Sequence, residues 1–113
     1  MDTIVLDVLK EGRALIVKGW TQGNMAVTKR GRSVGASNPK AARFCSLGAI
    51  KAASLARYSN AYYPVFDAAT VKLTYAARDL GKTGIVDLND TAKSKKIVLE
   101  AFDIAITGME AAS

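Results

Sequence analysis

Between residues 19 and 38 the sequence abandons any helical period. Gly19, Gly23, Gly31 and Gly35 are interleaved there with Asn24, Ser33, Ser37 and Asn38, whereas the flanking stretches repeat their apolar residues at helical spacing. A helical chain must therefore leave its helix here and return to it. Inside this insert, residues 25–28 and 32–34 are spaced to pair as a short hairpin around Lys29-Arg30-Gly31. A two-stranded ribbon is marginal alone, so it must pack on the helices.

Four helices are expected around the insert. Helix one runs from residue 3 to about 17, with Val5, Val8, Leu9, Leu15 and Ile16 on one face and Asp2 or Thr3 as N-cap. Helix two begins after Ser37 or Asn38 as cap, with Pro39 in the first turn where its missing N–H costs nothing, and continues to Arg57. One wide arc of it collects Phe44, Cys45, Gly48, Ala49, Ala52 and Ala53; the opposite arc carries Lys40, Arg43, Lys51 and Arg57. Helix three opens at Tyr62-Tyr63-Pro64 after the turn at Tyr58-Ser59-Asn60, places Val65, Ala69, Leu73 and Ala76 on one face, and stops at Gly81. Residues 83–88 read as a connector with an extended pair, Ile85-Val86. Asn89-Asp90-Thr91 then caps helix four, which faces inward through Ile97, Val98, Ala101, Phe102, Ala105 and Met109. The expected fold is mainly α, a compact four-helix domain with an irregular or short β-hairpin insert between helices one and two.

The 113 residues, 50% of them hydrophobic, suffice for one globular domain over 1–113 that needs no disulfide or metal. With no histidine and one cysteine, Cys45, the usual zinc ligand sets, serine triads and Cys-His dyads cannot be assembled. No metal or cofactor is implied. No apolar run approaches the ~18 residues of a membrane span, and Met1-Asp2-Thr3 lacks the basic start of a secretory signal. An intracellular protein that does not engage membranes is expected.

Charge is unevenly placed. The net +6 comes from sixteen Lys and Arg against ten Asp and Glu. Residues 19–66 hold Lys29, Arg30, Arg32, Lys40, Arg43, Lys51 and Arg57 and no acid, while the segments on either side nearly cancel. A single-sign field of this kind favours an anionic partner, either nucleic acid or an acidic protein surface; it also serves plain solubility. Arginine adds a bidentate grip on phosphate or carboxylate.

Trp20, the run Ala42-Arg43-Phe44-Cys45-Ser46-Leu47-Gly48-Ala49-Ile50, and Leu88-Asn89-Asp90 together resemble an uncharacterised small-domain family of bacterial and bacteriophage proteins. In that family an aromatic-Cys-x-x-Gly-Ala segment precedes an Asn-Asp-led final helix. The resemblance runs from Trp20 onward. It departs at Leu88, where the family more often has an aromatic residue, and in the unusually basic Lys29-Arg30-Gly31-Arg32. It implies a bacterial or phage setting, hence the cytoplasm of a bacterial host cell, and no particular reaction.

Three further groups carry alternative readings. Cys45 beside Arg43 has the look of an activated thiol, but it falls in the apolar arc and has no histidine as base, which suits a packing role. Asn89 and Asp90 read either as an orienting amide with a carboxylate or as a helix cap. If Trp20, Cys45, Asn89 and Asp90 meet, they tie the insert to the helices or floor a pocket. Tyr58, Tyr62 and Tyr63 offer aromatic contacts to a partner or wedge the turn between helices two and three. Gly31-Arg32-Ser33-Val34-Gly35 lacks the Gly-Lys-Ser/Thr ending of a phosphate loop, and helix three is too apolar for a DNA-recognition helix.

The functional expectation is a small non-enzymatic binding protein, phage- or mobile-element-borne, that engages an anionic host partner, protein or nucleoprotein, through its basic face. Its rivals are a small-ligand enzyme or ligand-binding protein with a pocket at Trp20, Cys45, Asn89 and Asp90, and a virion or assembly component.

Overall fold

The computed structural model describes residues 2–58 and 62–112. Helix α1 (Asp2–Lys18) buries Val5, Val8, Leu9, Gly12 and Ile16, which recur on one face. Its β-branched residues are weak helix formers, so packing of that face holds the helix. Beyond it, the expected hairpin forms from β1 (Ala26–Val27) and β2 (Ser33–Val34). A third strand, β3 (Arg43–Phe44), completes an antiparallel sheet of order β2-β1-β3, in which Ala26 faces both Val34 and Phe44. Trp20 makes a further single bridge, parallel, to Phe44.

The third strand corrects the expected start of helix two. Helix α2 spans Ser46–Tyr58, and Pro39 and Lys40 lie in a turn before β3. The reason is where the backbone donors go. Ala42 N–H donates to Val27 O at 2.8 Å, Phe44 N–H to Gly19 O at 2.9 Å and Cys45 N–H to Met25 O at 3.1 Å. Sheet pairing thus takes up groups that a helix from Pro39 would direct along its own axis. Asn38 still caps locally, its Oδ1 accepting Lys40 N–H at 2.8 Å. Lys40 and Arg43 are consequently not on a helix, and the basic arc expected on helix two is divided between sheet and helix.

Helix α3 (Tyr62–Asp79) ends where Gly81 turns to φ 82, with Gly81 N–H donating to Arg78 O and Lys82 N–H to Ala77 O. Two helices follow rather than one. The expected connector is helix α4 (Ile85–Thr91), and the last helix, α5 (Lys95–Ala112), starts well beyond Asn89. Asp87 Oδ2 accepts the N–H of Thr83 at 2.8 Å, which fixes the entry to α4. Ile85, Leu88 and Asn89, three and four positions apart, are all buried on its inner face. Asn89 and Asp90 therefore close α4 and do not cap the final helix; Ser94 Oγ serves the start of α5, accepting Lys96 N–H at 3.3 Å.

Helices α1, α2, α3 and α5 pack into a bundle around Leu9, Ile16, Ile50, Leu73, Val98 and Phe102, all fully buried. Helix α4 packs on α2, α3 and α5, and β3 seats the sheet against α1 and α2. Ion pairs stitch α1 to its neighbours: Arg13 Nε lies 2.6 Å from Asp103 Oδ1 on α5, and Lys10 Nζ 3.3 Å from Glu110. No helix among the described residues is long and apolar enough to cross a membrane. The turn expected at Ser59 and Asn60 lies outside the described residues, as do the side chains of Tyr58 and Tyr62.

Candidate functional site

Two places bring the singled-out residues together. The first is centred on Asn89, which is 2% exposed. Its Oδ1 accepts from Trp20 Nε1 at 2.9 Å, from Ser46 N at 2.9 Å and from Ser46 Oγ at 2.8 Å. Its Nδ2 donates to Thr21 O at 3.0 Å and to Asp90 Oδ1 at 3.3 Å. Donors gather at one end of the amide and acceptors at the other, so the chemistry of the partners fixes its orientation. Asp90 Oδ1 also accepts the N–H of Gly23 at 3.1 Å. Gln22, which sequence spacing did not mark, donates through Nε2 to Ala92 O at 2.8 Å and Asn89 O at 2.9 Å, and so takes up carbonyls that the end of α4 leaves unpaired.

Cys45 stands beside this hub as the residue that opens α2. Its Sγ accepts the N–H of Gly48 at 3.2 Å and lies 4.0 Å from Met25 Sδ. Burial pushes its thiol up from the ordinary value; N–H groups at Gly48 and Leu47 oppose the rise and the Asp90 carboxylate adds to it. A raised thiol holds little thiolate at neutral pH, the reverse of an activated nucleophile. Gly48 is required by the same crossing: a Cβ there would sit 1.9 Å from Met25 O. Met25, Cys45, Leu47, Ile85 and Val86, with Asn89 and Asp90, line an open cavity of about 200 Å³. The aromatic-Cys-x-x-Gly-Ala run thus reads as a joint: Phe44 buried in the sheet, Cys45 capping, Ser46 on Asn89, Gly48 under the backbone of Met25 just before β1.

The second place is the far end of the hairpin. Gly31, at φ 87, closes the three-residue loop Lys29-Arg30-Gly31, with Gly31 N–H on Thr28 O and Thr28 N–H on Arg32 O, both at 2.9 Å. Thr28 Oγ1 also accepts Arg32 N–H at 3.2 Å, a role that sequence reasoning missed. This tip and the turn at residues 39–42 face each other across an open concavity of about 920 Å³ that Lys29, Arg30, Arg32 and Lys40 line. Arg43 reaches the same tip, its Nη2 at 3.5 Å from Thr28 O. Lys29, Arg30, Arg32 and Lys40 form no ion pair among the described residues.

The other two bases stand elsewhere. Arg57 is committed to α1, its Nε donating to Glu11 Oε1 at 2.7 Å and its Nη1 lying 4.0 Å from Asp7. Lys51 is on α2, outside the lining of the concavity, and Tyr63 is exposed in the first turn of α3.

Among known proteins, the model of a family of unknown function (DUF6197) matches residues 1–107, so the match includes α1 as well as the part from Trp20 onward. No curated protein and no solved structure matches the chain.

Proposed function

We propose that this chain, which belongs to the DUF6197 family of unknown function, is a small non-enzymatic binding protein that engages an anionic partner through the concavity between the hairpin tip and the turn at residues 39–42. One observation carries the reading: Lys29, Arg30, Arg32 and Lys40 surround a single concavity with no acid among the described residues paired to them. Evenly solvated cations serve solubility from anywhere on a surface; four gathered about one hollow, with Arg43 laid against its rim, concentrate their field there. A bacterial or phage setting, with a host protein or nucleoprotein in the cytoplasm as partner, completes the proposal and comes from the resemblance of the motifs.

The reading at Cys45 is less well supported. Asn89 spends both ends of its amide on structure, and the raised thiol disfavours nucleophilic chemistry. The test is retention on two immobilised polyanions, one of phosphate or sulfate and one of carboxylate type. The wild-type protein is expected to elute at clearly higher salt than the Arg30→Glu/Arg32→Glu/Arg43→Glu variant from at least one of them. Equal elution of the two proteins would refute the proposal.

A further inference from the structure

We infer that the anion seated in the basic concavity is the phosphate backbone of a nucleic-acid duplex; this rests on the binding role proposed above and narrows it to one partner class. The argument starts from what lines the hollow. Apart from its cations the lining consists of Thr28, Gly31, Pro39, Ala41 and Ala42, with no aromatic side chain, leucine, isoleucine or methionine. Protein interfaces draw their affinity from a desolvated centre of aromatic and aliphatic anchors, and lysine is depleted from it. An acidic protein docking here would find charge and, to bury, only the small side chains of Pro39, Ala41 and Ala42. A phosphodiester backbone asks only for charge and hydrogen-bond donors at fixed spacing, which Arg30, Arg32 and Arg43 supply as forks and Lys29 and Lys40 as point charges.

The same lining separates duplex from single strand. Proteins that hold single strands without regard to sequence add aromatic platforms on which unstacked bases lie. The exposed tyrosines among the described residues, Tyr63 and Tyr75, are on α3 and not in the concavity. A duplex keeps its bases stacked inside and presents only its backbone ridge, the shape that a trough between two chain turns accepts.

The trough is also built before anything binds. Its hairpin wall is closed by the paired hydrogen bonds of Thr28 and Arg32, and its other wall is tied to β1 by Ala42 N–H on Val27 O. Cations held on such a frame lose less freedom on binding than a disordered basic tail would.

The experiment is fluorescence anisotropy with a labelled duplex of about 20 base pairs and arbitrary sequence, a single strand of equal length, and labelled polyglutamate. The wild-type protein is expected to bind the duplex at least tenfold more tightly than either alternative. Duplex affinity should fall by about 100-fold between 50 and 200 mM salt, as release of counterions from about four phosphates requires. The Arg30→Glu/Arg32→Glu variant should lose at least tenfold at low salt, with a shallower salt slope. Lys93→Glu/Lys96→Glu, an equal change of net charge at exposed positions around the start of α5, should stay within about threefold of wild type. An equal loss in both variants would overturn the assignment of the site. Binding of polyglutamate or single strand in preference to duplex would overturn the duplex inference and leave the basic-face proposal standing; binding of none of the three would overturn both.

Discussion

Trp20 donates its indole N–H to Asn89 Oδ1 at 2.9 Å, and this bond fastens the chain just beyond α1 to α4, 69 residues further along the sequence. Ser46 binds the same oxygen from the first turn of α2. One buried amide therefore joins three parts of the chain that lie far apart in sequence, and it helps set how the sheet and its basic tip are carried on the helices.

Removing that amide should be costly. Asn89→Ala strands the indole N–H of Trp20, the N–H of Ser46 and the carbonyl of Thr21. The Ser46 N–H is buried and the other two groups are partly buried; a buried group left unpaired costs about 1–3 kcal/mol and a partly solvated one less, so the variant is expected to lose about 2–3 kcal/mol in denaturant unfolding. Trp20→Phe alone removes one donor and should cost less. A double-mutant cycle of the two should show coupling of about 1 kcal/mol; strict additivity would mean that the bond contributes nothing.

Gly48→Ala tests the crossing of Met25 over α2. A methyl group 1.9 Å from Met25 O cannot be accommodated without moving the backbone, and the atoms displaced carry the bond from Cys45 N–H to Met25 O. Destabilisation by about 3 kcal/mol is expected, at the upper end for overpacking. Unfolding midpoints measure it, and a loss below about 1 kcal/mol would show that the crossing yields easily.

Cys45→Ser should be benign, because serine is a preferred cap and its oxygen can accept the Gly48 N–H in place of sulfur. A change within about 1 kcal/mol is expected, whereas Cys45→Ala should cost about 1 kcal/mol by losing the cap. The pH dependence follows from burial. The folded thiol titrates above its ordinary value of 9.0, so folding favours the protonated form. The stabilisation linked to this group is full below that value and is lost as pH rises through the raised one. Thiol-specific labelling of the native protein should accordingly lag behind that of the unfolded chain at pH 8; equal rates would contradict the burial.

The cations divide into structural and free ones. Arg57→Ala should cost about 0.5–1 kcal/mol, since its guanidinium joins α2 to Glu11 and Asp7 at a half-exposed position. Arg30→Glu/Arg32→Glu should change stability by no more than about 0.5 kcal/mol, both residues being exposed and forming no ion pair among the described residues. Thermal melts of the two variants side by side give the comparison.

What the sequence made legible was whatever repeats locally. Helix α1 shows its buried face in the spacing of Val5, Val8, Leu9 and Ile16, and the hairpin shows itself in the glycine-closed basic tip. Strand β3 was hidden because Ala41, Ala42, Phe44 and Cys45 fit a helical wheel equally well; only their pairing with Val27, Gly19 and Met25, distant in sequence, decides for the strand. Helix α4 was hidden by β-branched Ile85-Val86, although burial of Ile85, Leu88 and Asn89 at helical spacing and an acid in the first turn at Asp87 are signals that a shorter window would have caught. The meeting of Trp20, Cys45, Asn89 and Asp90 was open to sequence reasoning as a possibility, whereas the parts of Gln22 and Ser46 depend on tertiary placement that no spacing encodes.

The most direct test of the basic concavity is a titration of the protein with a heparin-derived oligosaccharide, followed residue by residue in amide NMR spectra. The account predicts shifts concentrated at residues 28–32 and 39–43 that fade as salt is raised. Shifts centred on Met25, Leu47 and Val86, with residues 28–32 unmoved, would contradict it.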